Sequence, residues 1–564
     1  MRNVTILLAA LLIGSTLPNG AMQGTPAAGD IKTEEGLRAA LDGFEARYET
    51  ACRAMGEAAW SDAMGEPAAP GSGSRRAGAV RDLAALYADP KLVELLAYWV
   101  RRRTVTSDPT LMRRVQMWYH ARDAAAVTLD PAISELESDL ASRMERHRFT
   151  LDGRPVGRDE LRRILATEPD PVARRRAWTA LASVAVEMQA DVKRLVRMRA
   201  DKAQLGKYRY FHDLLYRVED LEPYWVFHMM EIVTSRTNGA WEQLLGSLRT
   251  TVGQTQLQPW DIDFAMNRRA EGMGLSRIAG AALKPDGAIP AARRLMEALG
   301  FDLSRVALRT EVRPVAAPSL WVPVAIPTDL RVIVSPQYGP IGAAAFYEAV
   351  LRAHGRALQA VFNARSAPML KGYPWIPGTL NGVYAEGMAG ALGDFARDPL
   401  FASRILGLSS ADAEIFLTLE KDRRLLQCRR LLLAMGIEFT IYANPDADLD
   451  GRYHDLAARA LGVDLSGPDS ALWTADPMLV SRPVHYQDEM LALSVAAELH
   501  QKIRSLFEAG RLGSGKVAPW LIERCYARGE MGTLHERLGD SIQGGFGFDA
   551  FLTSLGGQPL SVPK

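Results

Sequence analysis

Apolar residues recur at steps of three and four along most of this chain, the period of an amphipathic helix. From Glu34 to about Trp60 the marks are Leu37, Leu41, Phe44, Tyr48, Cys52 and Met55. After the turn-forming stretch Gly65-Glu66-Pro67-Ala68-Ala69-Pro70-Gly71-Ser72-Gly73-Ser74, a loop by composition, a second helix is expected from about Ala77 to Thr104. Pro169-Asp170-Pro171-Val172 reads as a helix start, with Asp170 as N-cap and Pro171 in the first turn. The helix it opens should reach about Gly206. Its stripe of Trp178, Leu181, Val184, Met188, Val192, Leu195 and Met198 predicts core packing. Strand patterns are confined to Val312–Val324 and Leu330–Val334, short β-rich runs interrupted or bounded by prolines. A helix over Phe346–Phe362 follows them. No repeat of fixed period is visible. The pattern predicts a mainly α protein with one small sheet set into the helical body.

The start of the chain follows a different pattern. Met1-Arg2-Asn3 precedes an apolar run from Val4 to Ile13 and then small residues, the layout of a secretory signal peptide. The run is too short to span a bilayer, which takes about 20 residues. Cleavage is expected between Ala21 and Ala28, which makes residues 1–28 a signal peptide and flexible start. The mature chain is then secreted or periplasmic, with no membrane span. No cysteine follows the apolar run, which argues against a lipid anchor. Cys52, Cys428 and Cys525 allow at most one disulfide, so a disulfide scaffold is excluded. A chain of 564 residues, 48% of them hydrophobic, can build its core without such staples. The formal net charge of +1 carries no nucleic-acid footprint. The run Arg174-Arg175-Arg176 reads as a solvated helix face.

Candidate chemistry centres on the helix beginning Phe346-Tyr347-Glu348-Ala349-Val350-Leu351 and continuing Arg352-Ala353-His354-Gly355-Arg356-Ala357-Leu358-Gln359. An H-E-x-x-H helix sets two zinc-binding histidines one turn apart, with a glutamate between them to activate water. Around this helix the chain resembles the angiotensin-converting-enzyme-like peptidyl-dipeptidases, helical zinc peptidases whose wider group includes oligopeptidases. Several segments carry the resemblance, from about residue 35 to 557. Glu57-Ala58-Ala59-Trp60-Ser61 is similar to the first lid helix. Met198-Arg199-Ala200-Asp201-Lys202-Ala203-Gln204-Leu205-Gly206-Lys207-Tyr208 is similar to a helix end and Gly-Tyr turn. Ser319-Leu320-Trp321 and Asp329-Leu330-Arg331-Val332 resemble the sheet before the zinc helix. Ala385-Glu386-Gly387-Met388-Ala389-Gly390-Ala391-Leu392, with Asp398-Pro399-Leu400 and Ile405-Leu406-Gly407-Leu408-Ser409 beyond it, resembles the helix of the third ligand and its downstream turn.

The resemblance implies a two-lobed helical zinc-peptidase-like fold over residues 33–557 with a deep central cleft. Lid helices would occupy about 33–105 and the former zinc site about 312–400. The family's catalytic residues do not carry over. Gly355 sets a register in which the first zinc histidine falls on Arg352, the general-base glutamate on Ala353 and the second histidine on Arg356. The third-ligand position keeps its carboxylate as Glu386, and Tyr373-Pro374-Trp375-Ile376-Pro377 accounts for the wider spacing before it. A substrate-touching histidine falls on Ala317, followed by Pro318, which lacks the N–H an edge strand would offer a peptide. Counting back from His500, Tyr486 retains one cleft tyrosine, Glu489 replaces the other, and Leu479 takes the place of a transition-state histidine.

The residues themselves argue in the same direction. A guanidinium stays protonated and has no lone pair for a metal. Alanine at 353 supplies no base. His354 lies about 200° around the helix from the first ligand position, which turns it away from Glu386. Glu348, Arg352 and Arg356 share one helix face, and two readings stand: an exposed salt-bridge ladder, or guanidinium groups that replace metal charge beside Glu386. His485, Tyr486 and Asp488 cluster without a nucleophile in a recognisable setting. Gly544-Gly545-Phe546-Gly547 reads as a C-terminal turn and not as a phosphate loop. The expected function is an exported, catalytically inactive homologue of a zinc peptidyl-dipeptidase, without the zinc of active relatives, that binds a peptide or carboxylate-bearing ligand. The alternatives are altered or residual hydrolysis, and a structural or partner-binding role.

Overall fold

The computed structural model describes residues 31–66, 75–102, 106–315, 317–337, 342–377, 382–465, 467–542 and 547–560. The expected signal peptide, most of the loop after Gly65 and most of the Gly544–Gly547 turn lie outside these residues. The protein is mainly helical, with a two-stranded hairpin and a three-stranded sheet among the described residues.

The first helix, Glu34–Met64, starts on Thr33, whose side chain accepts from the Gly36 N–H, and ends on Gly65 in the left-handed conformation at φ 68°. Its predicted stripe is buried: Leu37, Leu41, Tyr48 and Cys52 are fully enclosed. The second expected helix divides into Arg75–Tyr87 and Pro90–Trp99, followed by a short 3₁₀ turn. Pro90 cannot continue the preceding helix, and Asp89 caps the new one through the Lys91 N–H. The long helix Pro171–Leu205 starts as expected, with the Asp170 side chain accepting from the Val172 N–H.

The arginine run within that helix needs a correction. Arg175 and Arg176 are exposed, but Arg174 is 1% exposed and bonded to Asp261, with Nη2–Oδ1 at 2.6 Å. Charge repetition in sequence did not distinguish the one arginine that turns inward.

Strands are also more divided than their sequence pattern. A hairpin of β1 (Phe149–Leu151) and β2 (Arg154–Val156) was not anticipated. The expected run Val312–Val324 contributes only its ends, to β3 (Leu308–Val312) and β4 (Ser319–Ala325), and β5 spans Asp329–Val334. Arg313-Pro314 and Ala317-Pro318 interrupt the ladder between them, because proline donates no backbone hydrogen bond. The order is β3-β5-β4, with β5 parallel to β3 and antiparallel to β4.

After the sheet come three helices that position the site. The arginine helix spans Gly342–Val361, the glutamate helix Val383–Gly393, and the tyrosine helix Tyr486–Ser505. The glutamate helix is packed between the other two. A Cβ on Gly355 would stand 3.1 Å from the Ala389 Cα, and one on Gly387 would stand 2.3 Å from a Val495 methyl. Glycine at these two points lets helix backbones approach more closely than a side chain would allow. Around them, Val350, Leu358, Val383, Met388, Leu491 and Val495 belong to the larger apolar core. A second core lies beneath the Glu34–Met64 helix and includes Trp118, Met369 and Tyr373. All three cysteines are buried and unbridged. No helix among the described residues is long and apolar enough to cross a membrane.

Candidate functional site

Arg352 and Arg356 lie one turn apart on the arginine helix, and both reach Glu386 in the first turns of the glutamate helix. Arg352 Nη2 donates to Glu386 Oε2 at 2.8 Å, and Arg356 Nη2 donates to Oε1 at 2.8 Å. Each carboxylate oxygen thus takes one charge-assisted bond. Side-chain exposure is 25% for Arg352, 8% for Arg356 and 17% for Glu386. Burial alone would raise the Glu386 pKa, but the charges of Arg356 and Arg352 hold it well below the usual carboxylate range. Burial pulls Arg352 down, yet Glu386 and Glu348 together leave it raised. The Arg356 guanidinium also lies over the Trp321 ring of β4, 5.5 Å from its centroid.

The salt-bridge-ladder reading fails at Glu348. Its carboxylate bonds instead to Arg397, Arg423 and Arg424, drawn from the turn after the glutamate helix and from the long helix Ser410–Ala443. Glu348 is buried, and burial opposes its ionisation, but the three guanidinium groups hold its pKa well below normal. The i, i+4 spacing therefore joins two separate clusters and not one surface ladder.

His354 is 3% exposed, and its Nδ1 lies 2.7 Å from the Val350 carbonyl oxygen. Burial lowers its pKa, which favours the neutral ring. It takes no part in the arginine–glutamate site. Ala353, at 6% exposure, packs into the larger core. Leu479 is also buried, and its carbonyl accepts from Arg199. Tyr486 donates its hydroxyl hydrogen bond to Asp476, so that phenol is already engaged.

Residues just before Tyr486 matter more than the tyrosine itself. Arg482 and His485 sit near Glu386: its charge acts on both groups. Glu489 lies near Arg352 and accepts from Gln427 Nε2 at 2.9 Å. Sequence reasoning passed over Arg482, and only the cluster of polar residues around His485 signalled this segment. Glu438 was also missed. Its Oε1 accepts from the Val484 N–H, and burial raises its pKa to about 8.

The donor set does not fit a zinc ion. The site holds two guanidinium groups, which offer a metal no lone pair, and both oxygens of Glu386 are committed to them. Among the described residues no group of three or more His, Cys, Asp or Glu side chains converges as a metal cage. A small cavity of about 40 Å³ touches Arg356, Glu219, Tyr384 and Ala385. A larger one of about 650 Å³ lies between Met112 and Met531, and the two share Arg113.

No protein-family model matches this chain, and no curated protein matches it. Solved structures do. Trypanosoma cruzi metallocarboxypeptidase 1 is 13% identical at a TM-score of 0.58, with 93% of this chain and 99% of that one covered. An M32 carboxypeptidase from Deinococcus radiodurans R1 is 12% identical at 0.58, covering 92% and 98%. PZ peptidase A, solved with an inhibitor, is 13% identical at 0.56, covering 93% and 96%. At this identity the likeness is one of fold: the chain has the helical architecture of these metallopeptidases. That statement is coarser than the resemblance to angiotensin-converting-enzyme-like peptidases.

Proposed function

We propose that this chain is an exported, non-hydrolytic protein on a metallopeptidase fold that holds a peptide or another carboxylate-bearing ligand beside the arginine helix. One observation carries the reading: Glu386 is clamped by Arg352 and Arg356, at 2.8 Å each, where the resemblance places a zinc ligand and two histidines. Guanidinium groups offer a metal no lone pair, and Ala353 offers water no base. Positive charge is retained at the site, now fixed to the protein. The segments similar to peptidyl-dipeptidases favour a peptide-shaped ligand in a cleft between lobes. The leader-like start of the chain favours export.

Metal analysis of the purified protein, together with hydrolysis assays on short peptides, tests the proposal. The expected outcome is no stoichiometric zinc and no cleavage above background, with short peptides raising the unfolding temperature. About one equivalent of tightly held zinc, lost on Glu386→Ala together with peptidase activity, would overturn it. Fractionation of expressing cells tests export; retention of the uncleaved chain in the cytoplasm counts against it.

A further inference from the structure

The segment between Leu479 and Tyr486 is held from several sides. Arg199 donates to the carbonyls of Leu479 and Val480, and the Val484 N–H donates to Glu438. Val484 takes φ 59°, a left-handed conformation that a β-branched residue rarely adopts. This clamped turn carries Arg482 toward Glu386.

Arg482 differs from the other arginines here. Among the described residues it forms no ion pair, unlike Arg352 and Arg356, and its Nη2 lies 3.4 Å from His485 Nδ1. Burial lowers its pKa, while Glu386, Glu489 and Asp488 act to raise it and Arg356 to lower it. These carboxylates are near enough to be felt but do not bond to it. His485 is held neutral by burial and by the Arg482 charge. Accepting from Arg482 at Nδ1 then leaves its proton on Nε2, as a further donor. Arg352 and Arg356 are already bonded to Glu386, which leaves Arg482 as the arginine of this group that bonds to no carboxylate among the described residues.

We propose that Arg482, with His485 beside it, is the ligand-facing donor of this site and receives a carboxylate, either the C-terminus of a peptide or a free organic acid. This rests on the reading of the region as a non-hydrolytic ligand site and names the group that makes the contact. The carboxylate supplies the acceptor that Arg482 lacks. Arg352 and Arg356 stay bonded to Glu386 and act as the positive floor of the site.

Calorimetric titration of the full-length protein tests this with three probes: N-acetyl-dialanine, its C-terminal amide, and succinate. The acid is expected to bind about 10-fold or more tightly than the amide, as loss of one charge-assisted pair implies. Arg482→Met should abolish that difference. Arg482→Gln serves as the second variant, in case methionine impairs folding. Tighter binding of N-acetyl-dialanine than of succinate identifies a peptide terminus, and the reverse order a free acid; both support the proposal. It is overturned by equal affinity for acid and amide, by a difference that survives both substitutions, or by the absence of binding to all three probes. Zinc-dependent cleavage by the wild type would defeat the functional reading. An unchanged acid–amide difference in Arg482→Met would defeat only this assignment.

Discussion

Two charge clusters meet on the arginine helix, one at Glu348 and one at Arg352 and Arg356, and they differ in pairing. Around Glu348 the carboxylates Glu348, Asp394 and Glu420 meet Arg397, Arg423 and Arg424, three against three. Every member bonds to at least one of opposite sign, and Arg424, Glu420 and Glu348 retain 10% side-chain exposure or less. Around Glu386, Arg352 and Arg356 are ion-paired, and Arg482 makes no ion pair among the described residues. In the enclosed cluster every guanidinium is ion-paired, and the pairs tie helices together. The partly exposed cluster keeps one arginine outside any ion pair among the described residues. Arginine content alone does not separate the two; the pairing does.

The largest expected effect breaks the balanced cluster. Glu348→Ala leaves three guanidinium groups around an uncompensated space and should cost about 3–5 kcal/mol of stability, measured by denaturant unfolding. A loss below about 1 kcal/mol would show that the cluster is solvated and not architectural.

Glu386→Ala comes next. It should cost about 2–3 kcal/mol, less than Glu348→Ala because water reaches Arg352. Arg352→Met/Arg356→Met with Glu386→Leu should recover most of that loss, since no charge is then stranded. Strict additivity of the separate changes would contradict the clamp.

The pH dependence sharpens the contrast by sign. Glu348 and Glu386 have folded pKa values below the unfolded value, so their stabilisation is present above about pH 4.3 and is lost as pH falls. Glu438 works in the opposite direction. Its folded pKa of about 8 lies above the unfolded value, so stability declines as pH rises from about 4.3 to about 8. Glu438→Gln should flatten the decline in that window and leave the acid limb unchanged. Unfolding free energies measured across both ranges check the two signs separately.

Glu489→Gln should have the smallest effect on stability, within about 0.5 kcal/mol, because this carboxylate is partly exposed and, among the described residues, bonds only to Gln427. It would remove a carboxylate near Arg352 and Arg482 and tighten N-acetyl-dialanine binding several-fold. Weaker binding in this variant would place Glu489 on the ligand-contact side.

How far the sequence was legible depends on the range of the interaction concerned. The helix beginning at Glu34, the cap at Asp170 and the burial of the Leu37–Cys52 stripe are local matters of periodicity and capping, and they were readable. So was the partnership of Arg352, Arg356 and Glu386, though only because the resemblance placed two distant helices face to face. The break at Pro90 shows what window-averaged periodicity overlooks, since one proline outweighs the pattern around it. By itself the sequence determined that the chain is mainly helical and where several of its helices lie, because backbone propensity and the 3.6-residue period act within a few residues. The tertiary structure decided which charges meet. Arg174 turns inward to Asp261, 87 residues away, while Glu348 pairs with Arg424, 76 residues away, and not with the neighbouring Arg352. A guanidinium pairs with whichever carboxylate the packing brings within reach, and that distance is set by helix contacts such as Gly355 on Ala389 and not by spacing along the chain.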